Sequence, residues 1–173
     1  VYDSKKFVAG VGYDKAIPST FAGRGTLNAS APEVTGGVAG SAFAAADTLR
    51  AIGRVNLNNG LALKALYQTS EVADVQGNDA AAAAIDDAQG WLVGAEYNLP
   101  TAKAWTVKAQ YSQNSTSFKT SKEDFDAQQF IAGADYAFTK QVKAYGYAGI
   151  LTLEQASFET KQPVVGTGIE YKF

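Results

Sequence analysis

The side chains that could carry chemistry in this sequence are almost all charged ones. The chain contains no His and no Cys, whereas Lys and Arg number 15 and Asp and Glu number 17. The lack of imidazole and thiol groups excludes a Ser-His-Asp triad, a cysteine nucleophile and a zinc site of the usual ligands. Neighbouring carboxylates occur at Glu71 and Asp74 and at Glu123 and Asp124, in polar stretches typical of solvated acidic loops. We therefore expect no enzyme activity, no metal site and no cofactor.

The overall composition favours a β protein and argues against a nucleic-acid partner. The formal net charge is -2 and the charged fraction is 18%, below the roughly 25% of an ordinary soluble domain, so the chain has no basic footprint for nucleic acid. The chain has 17 Gly, nine Tyr and nine Phe residues but only four Pro residues, which suits a β structure. It contains neither an apolar membrane helix nor the apolar segment of a signal peptide. We expect a processed chain or a piece of a longer one, folded as one domain over residues 1–173.

Apolar and polar residues alternate in eight segments, and this period of two predicts β-strands. Each segment has approximately the length that a tilted strand needs to cross a bilayer, about 9 to 11 residues. The predicted strands are 6–15, 47–57, 60–69, 90–99, 104–113, 128–139, 141–151 and 164–173. The pattern therefore predicts an all-β fold, an antiparallel transmembrane β-barrel with about eight strands in this chain.

The connections between the predicted strands alternate between short and long. The short ones are 58–60, 100–103 and 139–141, near the lengths of tight hairpins. The long ones are 16–46, 70–89, 114–127 and 152–163, and the alanine run 80–84 is interpreted as part of a solvated loop. A hidden pair of strands within 16–46 is the alternative to one long external loop. Short turns at one end and long loops at the other are habitual in outer-membrane barrels.

The alternation gives the predicted strands an uncharged face and a polar face. Aromatic residues of the uncharged face stand near strand ends, as expected for girdles at the two membrane–water interfaces. They are Phe7, Tyr13, Trp91, Tyr97, Trp105, Tyr111, Phe130 and Phe138. Strand 141–151 is ambiguous because Lys143, Tyr145 and Tyr147 share a face. A soluble barrel, with the apolar face turned inward as an ordinary aromatic core, is the alternative.

The polar face mixes both signs of charge with glycine. A closed eight-stranded barrel with so many small inward residues would be underpacked, which favours a wider barrel filled by water. In such a lumen, fixed charges bias which ions enter. The predicted pore-lining residues are Arg50, Arg54, Lys64, Lys108, Asp14, Glu96, Asp135 and Glu170. Arg50 and Arg54 would form a local basic ladder, and the alternative role for each residue is a structural ion pair that merely solvates the wall.

Several segments form an ordered series that carries a family resemblance. They are the hairpin 47–68, the segments 90–97, 107–111 and 132–136, and the terminal segment 164–173, which ends in Phe173. Together they resemble the C-terminal half of the Gram-negative general porins over nearly the whole chain. The resemblance implies a 16-stranded barrel in outer-membrane lipid, usually a homotrimer, with Phe173 recognised by the barrel-assembly machinery. About half of the strands of such a barrel are missing here, including those around the constriction loop.

These observations predict an outer-membrane porin through which small hydrophilic solutes and ions diffuse passively. A complete eight-stranded outer-membrane barrel that serves as a structural anchor or adhesion platform is the alternative. A soluble ligand-binding barrel ranks third and an enzyme last.

Overall fold

Nearly all of the structure is β-strand. The computed structural model describes residues 1–4, 6–21, 42–74, 77–78, 80–119, 123–155 and 158–173. The strands are β1 (Tyr2–Asp3), β2 (Phe7–Phe21), β3 (Ala42–Asn56), β4 (Leu61–Val72), β5 (Ile85–Asn98), β6 (Trp105–Phe118), β7 (Phe125–Ala137), β8 (Val142–Gln155) and β9 (Phe158–Tyr171). One short 3-10 segment, Ala80–Ala84, precedes β5. Within the described ranges no helix is long and apolar enough to span a membrane. The predicted all-β class is confirmed.

All nine strands belong to one antiparallel sheet in which the spatial order follows the chain order. Each predicted strand corresponds to one of the eight long strands, and the two-residue strand β1 is an addition. In the part of the chain that the structure describes, β1 and β9 form the two edges of the sheet and do not pair with each other. Consecutive pairing of this kind needs only hairpin connections, which is why a simple alternating sequence suffices to encode it.

The strands are longer than the sequence pattern predicts, and all of the extra length lies at one end of the sheet. We call the end with connections 57–60, 99–104 and 138–141 the turn end, and the opposite end the far end. At the far end β8 and β9 are separated by only residues 156–157, and β6 and β7 by 119–124. The predicted loops 114–127 and 152–163 are therefore wrong in extent, as is 70–89, of which residues 70–72 and 85–89 are strand. For 16–46, both flanks belong to β2 and β3, and residues 22–41, with the suggested hidden strands, lie outside the described residues.

The sheet curls toward its polar face. A single cluster of buried side chains on that face joins residues from β2 through β8, which requires the strands to converge on that side. The polar face is consequently concave. The uncharged face is convex, and many of its large apolar residues are exposed, including Val11, Val93, Phe130, Val165 and Ile169.

At the far end the two faces exchange polarity. On the convex face of β5, the apolar residues up to Trp91 are followed by Gln89 and Asp87, and Asp87 lies opposite Glu71 of β4. The concave face of the same region holds the buried cluster, whose members are Phe21, Ala42, Ala44, Ala46, Ala82, Ile85, Phe118, Phe125, Leu151 and Leu153. We call it the far-end cluster. Ala82 is fully buried in it, so the prediction of a solvated loop for the alanine run is wrong at that residue, because Ala82 packs against the buried side chains of the strands.

Candidate functional site

A row of seven charged side chains crosses the concave face near the turn end, and each of the strands β3 to β9 supplies one of them. They are Arg54, Lys64, Glu96, Lys108, Asp135, Lys143 and Glu170. We call this row the charged belt. The backbone register creates it, because Arg54 pairs with Lys64, Glu96 with Lys108, and Lys143 with Glu170 across neighbouring strands. Paired residues project from the same face of a sheet, so the seven groups must share one surface.

Glu96 and Asp135 organise the middle of the belt. Lys64 Nζ lies 2.5 Å from Glu96 Oε1, while Arg54 Nη2 and Lys108 Nζ lie 3.8 and 3.9 Å from the same carboxylate. Lys108 Nζ also donates to Asp135 Oδ2 at 2.6 Å. The carboxylate of Glu96 thus neutralises the repulsion between Arg54 and Lys64, which face each other directly and would otherwise destabilise the strand pair.

Lys143 extends the belt to the last strand. Its Nζ lies 3.4 Å from Asp135 Oδ2 and 2.9 Å from Glu170 Oε2. The belt therefore contains four cations and three carboxylates, and the sign of the charge alternates from Lys64 onward. Lys172 stands beside it, 3.7 Å from Glu170, but its side chain is 70% exposed and lies outside the row.

The belt faces water. Its side chains retain between 15% exposure, at Asp135, and 44%, at Arg54. Ion pairs this accessible contribute at most about 1 kcal/mol each to stability, because solvent screens them and their formation costs side-chain entropy. Stability alone does not explain a row of seven charges, whereas a wet surface with a fixed pattern of charge can act on ions that pass along it.

Six of the eight predicted pore-lining residues lie in the belt: Arg54, Lys64, Lys108, Glu96, Asp135 and Glu170. The other two lie farther from the turn end. Arg50 donates from Nε to Gln68 Oε1 at 2.8 Å, and Asp14 stands opposite Thr48, beside a bulge in β2. Arg50 and Arg54 share the concave face, but their polar contacts differ, since Arg54 binds Asn56 and approaches Glu96.

The belt residue that sequence reasoning missed is Lys143. The alternation of β8 alone is ambiguous, because Tyr145 and Tyr147 accompany Lys143 on one face. The register resolves it: Tyr145 pairs with Asp135, and Ala144 with Tyr136. Counting outward from the connection 138–141 was the signal that could have found Lys143, since hairpin length determines register.

Beyond the belt the concave face becomes progressively drier toward the far end. The hydroxyls of Thr48 and Ser70, both buried, form a hydrogen bond of 2.9 Å. The next pair on this face is Ala46, a member of the far-end cluster, and Val72, which packs against the cluster. Satisfied hydroxyls at this boundary avoid the cost of burying polar groups without partners.

The convex face carries two rows of aromatic rings. Trp91 contacts Tyr111 at a centroid distance of 5.3 Å in the row nearer the far end, and Trp105 contacts Tyr136 at 5.0 Å at the turn end. Rings with an apolar body and a polar tip suit the two boundaries of a bilayer. An apolar convex band between two aromatic rows, opposite a charged concave face, defines the wall of an outer-membrane barrel.

Comparison with known proteins agrees with this class. The family model of the Gram-negative porins matches residues 1–153. The chain therefore belongs to the Gram-negative porin family, and its location is the bacterial outer membrane. No curated protein sequence gives a significant match.

Two solved outer-membrane proteins are similar in structure. OmpT of Vibrio cholerae, described as an in-vitro folded outer-membrane protein in trimer form, is 16% identical, with a TM-score of 0.60. The similarity covers 98% of this chain and 53% of the OmpT chain, so this chain spans about half the length of OmpT. Neisserial surface protein A is 14% identical over 96% of this chain and 94% of its own, with a TM-score of 0.36.

Proposed function

We propose that the chain forms part of the wall of a porin through which small hydrophilic solutes and ions diffuse passively. The observation that carries the proposal is the charged belt: seven ionisable groups, all partly exposed, cross the concave face behind an apolar convex band. Lipid would favour the convex face and water the concave one. Transport of this kind needs no catalytic group.

The barrel in this proposal has 16 strands, more than the nine described here. Edge strands within a bilayer are costly, because their unpaired backbone groups have no water to bind. Since β1 and β9 do not pair with each other in the described part of the chain, further strands would have to complete the wall. The coverage of about half of OmpT supports this width, and its trimer form supports a homotrimer here. Recognition of Phe173 by the assembly machinery stays a prediction.

In this mechanism the belt biases the passage of ions. Four cations and three carboxylates project into the lumen, so a permeating anion meets fixed positive groups and a cation meets fixed negative ones at one level of the pore. Electrolyte screens these interactions over roughly 10 Å at 0.1 M ionic strength. The bias would therefore weaken as salt concentration rises.

A second candidate is a complete eight-stranded barrel that acts as an anchor or adhesion platform. The far-end cluster favours it, because ten buried residues, nine of them on strands from β2 to β8, fill the concave face there, and a dry interior is typical of narrow barrels. The two candidates differ in whether a continuous aqueous path exists.

Single-channel conductance in a planar bilayer, with intact mass measured on the same sample, tests the proposal. Large ohmic steps from a complex that contains this chain, or from a species near twice its 18.2 kDa, are the expected result. A folded, heat-modifiable species of this mass that remains electrically silent would contradict the pore and support the anchor.

A further inference from the structure

Two tyrosines interrupt the polar surface beside the charged belt. Tyr145 and Tyr147 follow Lys143 on β8 and project from the concave face, where Tyr145 pairs with Asp135 and Tyr147 with Gly133. Their residues are 38% and 39% exposed. Aromatic rings bury more apolar area than any other side chain, so two half-exposed rings next to the charged belt offer a large apolar surface to whatever occupies the concave side.

Glycines of β9 hold these rings in place. Tyr145 pairs with Gly168 and Tyr147 with Gly166. A Cβ atom at Gly166 would collide with the ring of Tyr147, and one at Gly168 with the ring of Tyr145. Each ring therefore lies against a stretch of backbone that only glycine leaves open, and the remaining surface of the ring is directed toward the concave side.

The tyrosines line a cavity together with the end of the belt. The cavity has a volume of about 600 Å³, and its walls include both rings, the charged groups of Lys108, Asp135, Lys143 and Glu170, and the side-chain amides of Gln110 and Gln129. A concave site of roughly 300 to 1,000 Å³ that combines apolar surface with a few polar groups is typical of small-molecule binding. We call the two tyrosines and these four charged residues the tyrosine subsite.

The charges of the subsite are already matched. Lys108 binds Asp135 at 2.6 Å and Lys143 binds Glu170 at 2.9 Å, so two cations face two carboxylates. A charged solute would have to break these pairs or be repelled by one member of each. A neutral solute can accept hydrogen bonds from the lysines and donate to the carboxylates while both pairs persist.

We propose that the tyrosine subsite binds a neutral saccharide. The apolar face of a pyranose ring stacks on an aromatic ring, and its hydroxyl groups can bind the paired charges and amides around the two rings. The proposal rests on the proposed function, because the saccharide reaches the subsite through the lumen. The subsite would add specific binding of saccharides to a pore that otherwise selects solutes by size and charge.

Saturation-transfer NMR of maltose with the protein in detergent tests binding without requiring conduction. We expect saturable binding to the unchanged chain and a dissociation constant about tenfold higher in Tyr145→Leu and in Tyr147→Leu, since each variant keeps an apolar side chain but loses a stacking surface. Tyr67→Leu is the matched control, because Tyr67 is a half-exposed ring on the convex face. Heat-modifiable migration verifies that each variant is folded.

The outcomes separate this proposal from the pore itself. Absence of maltose binding to the folded protein, or equal weakening by Tyr67→Leu, overturns the subsite, as does preferential binding of the zwitterion glycine. Conductance of the same samples bears only on transport. A conducting pore that ignores maltose leaves the proposed function standing, whereas a silent protein that binds maltose through the tyrosines contradicts the pore alone.

Discussion

The charged belt and the far-end cluster lie on the same concave face and on the same strands, yet they are opposite in character. Belt side chains are between 15% and 44% exposed, whereas the residues of the far-end cluster are no more than 8% exposed. On β8 the change occurs within a few residues, from Lys143 through Tyr147 to Leu151. A face of a β-strand therefore has no single environment along its length.

The convex face changes in the opposite direction, and together the two changes indicate where the bilayer ends. Lipid requires an apolar convex face, and the band between the aromatic rows provides one. Past Trp91 the convex face carries Gln89 and Asp87, while the concave face becomes an apolar core. That arrangement is what water outside and a packed interior require. The strands therefore continue past the apolar convex band at the far end.

The largest effect on stability is expected when a charge is introduced into the far-end cluster. Ile85→Asp places a carboxylate at a position with no solvent exposure, and it should lower the free energy of unfolding by more than about 3 kcal/mol, because the charge has neither water nor a partner. Urea unfolding in detergent measures it. Leu57→Asp at the turn end, where Leu57 is exposed, should cost far less. Equal losses would show that the far-end cluster is wet.

Between the charged belt and the far-end cluster, a side chain added to β8 should destabilise the protein. A Cβ at Gly149 would overlap the backbone of Phe130 and Ile131, so Gly149→Ala should cost about 1 to 3 kcal/mol through forced separation of β7 and β8. Gly12→Ala, on the same face of β2 with open space around it, should change the free energy of unfolding by no more than about 0.5 kcal/mol. Thermal unfolding of both variants compares them, and similar shifts would refute close packing at Gly149.

Reversal of one belt charge should alter ion selectivity. Glu96 lies near three cations. Glu96→Lys would therefore place a positive side chain on each of four consecutive strands, β3 to β6. We expect the anion-to-cation permeability ratio to rise at least about fivefold, because one unit charge at 4 Å in water is worth roughly 1 kcal/mol and the substitution changes the fixed charge by two units. The reversal potential in a KCl gradient measures the ratio. Glu71→Lys makes the same change on the convex face, and an equal effect there would mean that the belt does not line the path.

Removal of one belt charge should have the smallest effect, a minor decrease in the free energy of unfolding. Lys143→Gln loses ion pairs with Asp135 and Glu170, but Asp135 keeps Lys108, so the free energy of unfolding should fall by less than about 1 kcal/mol. The difference from the unchanged protein should shrink in 1 M salt. A loss that is large and independent of salt would mean that the belt is as dry as the far-end cluster.

The two-residue alternation determined which face six of the seven belt residues occupy. Arg54, Lys64, Glu96, Lys108, Asp135 and Glu170 could be assigned to one polar face from sequence, because the direction of a side chain in a strand depends only on its position along that strand. The short turns also indicated which strands are neighbours. Family resemblance then pointed to the Gram-negative porins, which the family model confirms.

Tertiary structure alone decided which charges meet and where the polarity inverts. Contacts such as Lys143 with Asp135 depend on the register between strands, and a slip of one residue would move Lys143 to the other face. At the far end, serines, threonines and glutamines hide the alternation, but backbone pairing continues because hydrogen bonds between strands do not require apolar side chains. The far-end cluster exists only because the sheet curls and side chains from β2 to β8 converge on its concave side, a consequence of long-range packing that no local period encodes.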